Sequence, residues 1–418
     1  MDFNLRTRII RRREEIFDFY YCTIGDKIRR TRLDLNMTQE ALAKGICSNT
    51  YISKIENNKI AVNKEHLFLL MEKMGIQTDR IGFPEKMVES LERAIEYFYF
   101  KDLEAYEELY QDLQQYEFGI LIYVVRLGYF VLTEDLDNAR VIYDDMYRYL
   151  NSLEDYGFAT FLIFGGFYNV AINDFQTARM ILESVKDKLR NDEILYSLYG
   201  YLEFIVYGQL HLFNQSRDGL DKAKTLFFNY SNCRRLTESM VYTNIFRLYE
   251  GRKEEISFHK EHLTYLNDSQ KNYYLILLAL SSDNPVFYFS QLIPDGRYYL
   301  SGLYYLAKHH LSKNELDKYE SVKDTINDNH YSMRSIIDYG NLLKLSEGEK
   351  DWYYRDYLIN IVLPYLRDNQ NIYFHNLVTK RVQEILSENK KYKDAQRLGE
   401  KHQEFVKGLQ LEKKITLH

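Results

Sequence analysis

Proline is scarce. The 418 residues hold only four, Pro84, Pro285, Pro294 and Pro364. Proline interrupts helices, so this scarcity permits an almost continuously helical chain. Cysteine is scarcer still. Its three copies stand apart with no CxxC spacing, which excludes a disulfide framework and a cysteine-based zinc site and fits a reducing, cytoplasmic setting. No run of about 18 apolar residues occurs, and no charged, apolar and cleavable leader opens the chain, so neither membrane insertion nor export is expected. The GxxxxGK[ST], GxGxxG and HExxH patterns and the EF-hand loop are all missing. His259 and His262 lack a third ligand at a useful spacing, and the adjacent His309 and His310 point in different directions on a helix. No catalytic constellation stands out. No enzyme, cofactor or metal site is expected.

What the chain does have is apolar mass and a divided charge. Apolar residues make up 45%, enough for a sizeable core, and the 39 tyrosines suit amphipathic helix packing. The net charge of −6 conceals an asymmetry. Residues 1–60 carry 12 Lys and Arg against 8 Asp and Glu, and the remainder 43 against 53. A basic head on an acidic body suits a head that meets phosphate and a body that does not.

The head contains the most informative stretch, Ile24 to Lys59. Thr38 is placed to cap a short helix through Ala43, with Gly45-Ile46-Cys47 as a tight connection. A second helix starts at Ser48 and sets Ile52 and Ile55 on one face. Two short helices around a Gly-containing turn form a helix-turn-helix unit. The outer face of its second helix offers Asn49, Thr50, Ser53 and Lys54, polar groups able to reach base edges in a major groove. Ser48, Tyr51, Arg29 and Lys59 complete the expected DNA-facing set. The helix from Thr23 to about Asp34 is expected to turn Ile24, Ile28 and Leu33 inward and to leave Lys27, Arg29, Arg30 and Arg32 near phosphates. A fourth helix follows in KEHLFLLMEKMGI. Before the motif, residues 1–22 carry Arg6, Arg8, Arg11, Arg12 and Arg13, which read as a basic arm or as a solvated extension.

These residues resemble the XRE type of helix-turn-helix repressor at Ile24-Gly25, Ile28-Arg29, Arg32, Thr38-Gln39, Leu42-Ala43, Ser53-Lys54, Ile55-Glu56 and Asn57. The wording GICSNTYISKIENNK is similar to the subgroup in which this domain heads a tetratricopeptide array, the RRNPP peptide-pheromone receptors. The resemblance implies that Gln39 bonds a phosphate and buttresses the recognition helix. Asn58 stands where that family mostly has Gly, and asparagine tolerates the left-handed conformation needed there.

Gly75, Gly82 and Pro84 break the helical pattern, so the expected domains are 1–22 extension, 23–76 helix-turn-helix, 77–84 linker and 85–418 helical repeats. Past Glu85, apolar helices alternate with short polar connections at a period in the high thirties to mid forties, in about eight pairs. Ala139 and Ala178 lie 39 apart, and Ala178 and Ala223 lie 45 apart. Gly128 precedes Ala139 by 11, and Gly166 precedes Ala178 by 12. Such pairs resemble the tetratricopeptide pattern, where close helix approach excludes large side chains. The expected architecture is all-α, a helix-turn-helix domain followed by a tetratricopeptide-like right-handed α-solenoid with a polar capping helix at its end. A helix is expected over 252–266. Ser281 to Gly296, with two prolines, is expected to split the array or hinge it.

Concave solenoid faces bind extended peptides, whose backbone needs partners that both donate and accept. Polar residues inside apolar helices are the candidates: Arg126, Asn169, Asn244, Arg247, Asn341 and Asn376. The resemblance implies that such residues clamp a short signalling peptide. The expected function is a transcriptional regulator that binds double-stranded operator DNA as a homodimer and changes that binding when its repeats take up the peptide, as in quorum sensing. Two alternatives stand beside it: a module that sequesters a response regulator, and a ligand-independent repressor of a mobile element.

Overall fold

In this computed structural model the described residues are 22–411, save 77–83, 329–354 and the loop positions 58, 61, 117–118, 147–149, 151–152, 187–188, 190–191, 257 and 295–297. The basic arm, most of the linker, Asn58 and Asn341 lie outside them. Every regular element among the described residues is helical.

The head consists of α1 (Cys22–Asp34), α2 (Gln39–Ala43), α3 (Asn49–Glu56) and α4 (Lys64–Lys73). Side chains set the helix starts. Thr38 Oγ1 accepts from the Ala41 N–H, Ser48 Oγ from the Tyr51 N–H, and Asn63 Oδ1 from the Glu65 N–H. Each satisfies an amide that the helix itself leaves unpaired. Gly45, at φ +84°, makes the turn between α2 and α3. One core holds the four helices together. Ile28 of α1, Leu42 and Ala43 of α2, Ile52 and Ile55 of α3, and Leu67, Leu70 and Met71 of α4 all meet there.

Two expectations for α1 fail. Leu33 is 54% exposed rather than inward. Arg32, expected at phosphate, is only 7% exposed. Ile28 and Arg32 stand four apart and share the inner face, so Leu33 is rotated one position off it.

The rest of the chain is a run of helical hairpins: α5 (Pro84–Phe100) with α6 (Leu103–Asp112), α7 (Ile120–Leu132) with α8 (Leu136–Met146), α9 (Asp155–Ala171) with α10 (Phe175–Val185), and α11 (Glu193–Gln209) with α12 (Phe213–Asn229). After α13 (Cys233–Tyr249) come α14 (Asp268–Ser281), the short α15 (Pro285–Phe289), α16 (Tyr299–Ser312) and α17 (Leu316–Asp328). A π-helical turn (Leu358–Val362) leads into α18 (Leu363–Asp368), and α19 (Ile372–Glu388) pairs with α20 (Tyr392–Gln410). Pro364 lies just beyond that turn and has no N–H to give, which suits a local change of register.

A repeated turn makes the hairpins. The helix ends in a left-handed residue, found at Lys101, Asn173, His211, Ser231, Asn314, Gln370 and Lys390. The next N–H then reaches back to a carbonyl five residues earlier, as in Asp102 to Tyr97, Asp174 to Asn169, Asn232 to Phe227, Asn371 to Leu366 and Lys391 to Leu386. That is the Schellman closure of a helix C-terminus. At three of these turns the following Asp or Asn caps the next helix: Asp102 accepts from Ala105, Asp174 from Thr177, and Asn371 from Phe374. One short stretch thus ends one helix and starts another.

Small residues let the hairpins close. Ala139, Ala178 and Ala223 are fully buried. A Cβ on Gly128 would run into the Tyr106 hydroxyl and the Phe164 ring, and one on Gly166 into Leu202. Gly200 and Gly219 approach backbone to backbone, so a Cβ on either would lie 2.8 Å from the other's carbonyl oxygen.

The chain divides into two compact units. The first holds residues 1–204 and 218–232, the second 205–217 and 233–418. The division falls inside the α11–α12 hairpin. It does not fall at Ser281–Gly296, where the chain forms α15 with Pro285 at its first turn. The helix expected over 252–266 is replaced by two 3₁₀ stretches, Lys253–Glu255 and Lys260–Tyr265. The Arg252 N–H closes α13 on the Arg247 carbonyl, and the Arg247 guanidinium takes the Glu255 carbonyl at 2.7 Å, so the segment starts no regular ladder.

Candidate nucleic-acid interface

The recognition helix α3 is built on two apolar anchors, Ile52 and Ile55, which are buried in the head's core. Anchoring that face presents the opposite one. Asn49, Thr50 and Lys54 are exposed, and Ser53 is half-buried beside them. Ser48, also exposed, serves as the N-cap. Arg29 on α1 and Lys59 past α3 are exposed cations. At the far end of α3, the Asn57 side-chain amide donates to the Ser53 carbonyl at 2.7 Å and holds the last turn.

Two groups expected at DNA already have partners. The Tyr51 hydroxyl accepts from the Asn63 N–H at 3.1 Å, and its ring meets His66 edge-on at 5.2 Å, so Tyr51 ties α3 to the start of α4. Gln39 Nε2 donates to Glu56 Oε2 at 2.8 Å. That amide has a second hydrogen to give.

Glu56 is the centre of a network that inspection of the motif missed. It is 1% exposed and receives Arg32 in a two-point fork, Nε to Oε1 at 2.5 Å and Nη2 to Oε2 at 2.8 Å. Arg32 Nη1 donates to the Met37 carbonyl at 2.7 Å. The carboxylate raises the guanidinium's pKa through the hydrogen bond, against the opposing effect of burial. Three elements converge on one buried carboxylate: α1 through Arg32, α2 through Gln39, and α3 through Glu56 itself. A planar fork on a carboxylate fixes orientation as well as distance. The network therefore sets the angle of the recognition helix. A sign was present in the sequence, since an arginine four residues past a core isoleucine faces the interior.

The polar groups expected to hold a peptide fall into different situations. In the first unit, Asn169 is 2% exposed and its amide donates to the Tyr143 hydroxyl at 3.0 Å and the Gly165 carbonyl at 2.6 Å. Arg126 on α7 is half-buried, lies 5.9 Å from the Tyr123 ring centroid, and has a buried Nε with no partner among the described residues. In the second unit, Asn244 is 3% exposed and donates to the Tyr274 hydroxyl at 2.9 Å. Arg247, half-buried and on the same helix, turns to the Glu255 carbonyl, so the pair does not converge on one point. Asn376 on α19 is half-buried.

The second unit's interior is aromatic. Tyr249 stacks on Tyr373 at 4.9 Å, and Tyr273 packs on Phe374 at 5.8 Å and Tyr298 at 5.3 Å. The last turn of α20 reaches back to the end of α11 within this unit. Gln410 donates to the Leu210 carbonyl at 3.4 Å, and His211 stacks on Tyr249. Among the described residues no group of three or more His, Cys, Asp or Glu is arranged for a metal ion, and no helix is long and apolar enough to cross a membrane.

The helix-turn-helix family matches residues 28–81. No curated protein matches the sequence. Two solved structures are similar over most of the chain, each at 14% identity. One is the apo form of the quorum sensor NprR from B. thuringiensis, with TM-score 0.55, covering 78% of this chain and 99% of that one. The other is a Rap protein complexed with competence and sporulation factor, with TM-score 0.58 and the same coverage of each. A third, Bacillus thuringiensis PlcR in complex with the peptide PapR7 and DNA, is 14% identical with a TM-score of 0.29, covering 65% of this chain and 98% of that one. The chain thus carries an XRE-type helix-turn-helix DNA-binding domain at residues 28–81, joined to a helical-repeat fold shared with the RRNPP proteins NprR and Rap.

Proposed function

We propose that this protein is a transcriptional regulator that binds operator DNA as a homodimer and adjusts that binding to a short peptide held by its helical repeats. The observation that carries the DNA half is the exposed face of α3, with Asn49, Thr50 and Lys54 free on a helix fixed from behind by Glu56, Arg32 and Gln39. Asparagine can bond an adenine edge at two points, a lysine can reach guanine or phosphate, and a threonine methyl suits thymine. Arg29 and Lys59 supply phosphate contacts, and the second amide hydrogen of Gln39 supplies another.

The peptide half is supported by Arg126. A guanidinium nitrogen that is buried and without a partner is uncommon, and a peptide carboxylate or carbonyl would satisfy it. In this reading Asn169, in the same unit as Arg126, and Asn244, in the other unit, each hold the inner helices of their own unit in register. Binding would act by changing the spacing of two recognition helices, which must match half-sites about 34 Å apart. The test is fluorescence anisotropy of the full chain on DNA from its own promoter, with and without synthetic peptides encoded by neighbouring short reading frames. A peptide that shifts the affinity tenfold in the native protein and not in Arg126→Ala supports the proposal. Unchanged affinity with every peptide refutes the peptide half and leaves the DNA half standing.

One observation favours a second reading, a ligand-independent repressor whose repeats only oligomerise. The inner aromatic groups of the second unit, Tyr249, Tyr273 and Tyr298 with Tyr373 and Phe374, already pack on one another.

A further inference from the structure

A cavity of about 310 Å³ lies in the second unit between the helical turn at residues 355–359 and the α19–α20 hairpin. Its size is at the lower end of the roughly 300–1,000 Å³ typical of small-molecule sites. One wall is α20. Asp394, Arg397, Leu398 and Lys401 recur at i, i+3, i+4 and i+7 and so share a face of that helix. Lys391, at the N-cap, closes the same wall. Arg355, Asp356 and Ile359 form the opposite wall, and Leu386 adds to the apolar floor.

The charge here runs against its surroundings. Residues 61–418 hold 43 cations against 53 carboxylates, yet this cavity gathers four cations and two carboxylates. One carboxylate is already committed, since Asp356 Oδ1 accepts from Arg355 Nη2 at 2.7 Å and from its Nε at 2.9 Å. Lys391, Arg397 and Lys401 are exposed, and their side chains make no ion pair or hydrogen bond among the described residues. The first turn of α20 adds to the field. This 19-residue helix has no side-chain cap at its start, and its N-cap Lys391 and first-turn Asp394 line the cavity, so the positive end of its dipole adds to the field there. The remaining carboxylate, Asp394, opposes an anion in direct contact and suits a hydroxyl or amino donor on the same ligand. Ile359, Leu386 and Leu398 suit an apolar ring face.

We propose that this cavity binds a phosphorylated small molecule of nucleotide type. The phosphate lies among Lys391, Arg397 and Lys401, its sugar hydroxyls or base amino group meet Asp394, and its ring rests on Ile359, Leu386 and Leu398. None of the recognition-helix residues lines this cavity, nor do Arg126, Asn169, Asn244, Arg247 or Asn376, and it would let the regulator respond to a second, metabolic signal.

The experiment is isothermal titration of the full-length protein with AMP, pyrophosphate and adenosine. AMP and pyrophosphate are expected to bind at one site per chain, adenosine at least tenfold more weakly than AMP, and binding is expected to weaken with salt. Arg397→Glu and Lys401→Glu should each weaken both phosphate ligands by on the order of tenfold or more, because each replaces an attraction by a repulsion. Lys224→Glu, on α12 in the other unit, should not. Asp394→Asn should tighten pyrophosphate and weaken AMP. Should a charge-reversed protein melt early, Arg397→Gln and Lys401→Gln give the same comparison with less strain. Absence of binding by both phosphate ligands, or equal binding by the wild type and the Arg397 and Lys401 variants, overturns the proposal.

Discussion

The head and the repeats treat polar side chains in opposite ways. In the head, the buried charges Glu56 and Arg32 satisfy each other at one junction that Gln39 joins, and the other polar groups of α3 mostly face outward. In the repeats, polar groups are threaded through an aromatic core and are largely spent inside it. Asn169 bonds Tyr143 and Gly165, Asn244 bonds Tyr274, and Asn272 both donates to and accepts from Ile293. The difference shows what a polar residue in an apolar context signifies. On a helix with one buried face it marks a surface ready to bind. On a helix buried all round it marks a crossing point between helices.

That contrast can be broken, and the strongest test is at Glu56. Glu56→Ala strands Arg32 in a buried site and should cost about 3–5 kcal/mol. Thermal unfolding should show the head melting first, with DNA binding lost. An Arg32→Met, Glu56→Leu double variant should recover much of the stability, because both charges are then gone. If Glu56→Ala melts like the native protein, the network does not hold the recognition helix.

The next effect belongs to the second unit and depends on pH. His375 and His402 meet Nδ1 to Nδ1 at 2.8 Å, and His211 stacks on Tyr249 with a buried Nε2 that has no partner among the described residues. Burial and the nearby His402 press the pKa of His375 and of His211 down to about 4, and burial lowers that of His402. Arg367 beside His375, and Lys380 beside His402, push the same way. In the unfolded chain each titrates near the ordinary 6.5, so between 6.5 and about 4 the unfolded state holds more protons. Stability is full above pH 6.5 and falls as the pH drops toward 4, on the order of 3 kcal/mol each for His211 and His375. Melting temperatures measured from pH 7.5 to 4.5 should drop least in His211→Phe, which removes an unpartnered ring nitrogen and keeps an aromatic ring. A profile identical to that of the native protein would contradict this assignment.

Asn169→Ala and Asn244→Ala should each destabilise their own unit by about 1–3 kcal/mol, through the hydroxyl or carbonyl left without its donor. Neither should change DNA affinity at a temperature where the protein is folded. A variant that stays as stable as the parent while losing peptide response would move that asparagine from the core to the ligand. The smallest effect is at the cap. Thr38→Ala should cost about 1 kcal/mol by denaturant unfolding of the head.

The same contrast explains what could be read from the sequence. The helix-turn-helix was legible because caps, a glycine turn and two apolar anchors fall at fixed spacing within a few dozen residues. Asn49, Thr50 and Lys54 are exposed as that spacing requires. Arg32 was misplaced because it stands among Arg29 and Arg30, which do face outward, and its partner Glu56 is 24 residues away. The helical hairpins were legible from apolar periodicity, and Ala139, Ala178 and Ala223 mark real close approaches. Their turns were not, because the left-handed position is filled by Lys101, Asn173, Ser231 and Gln370 rather than by glycine. The fate of the inner asparagines was hidden too, since Tyr143 and Tyr274 lie 26 and 30 residues from their partners and only the packed helices bring them together.

The central claim is that the outward face of α3 reads DNA. Its direct test is fluorescence anisotropy of Asn49→Ala, Thr50→Ala and Lys54→Ala on the promoter duplex and on a scrambled duplex of equal length, across a salt series. The account predicts that Asn49→Ala and Thr50→Ala weaken the promoter complex by about 1–3 kcal/mol and leave scrambled DNA unaffected, while Lys54→Ala weakens both and flattens the salt dependence. Native affinity and native discrimination in all three variants would contradict it.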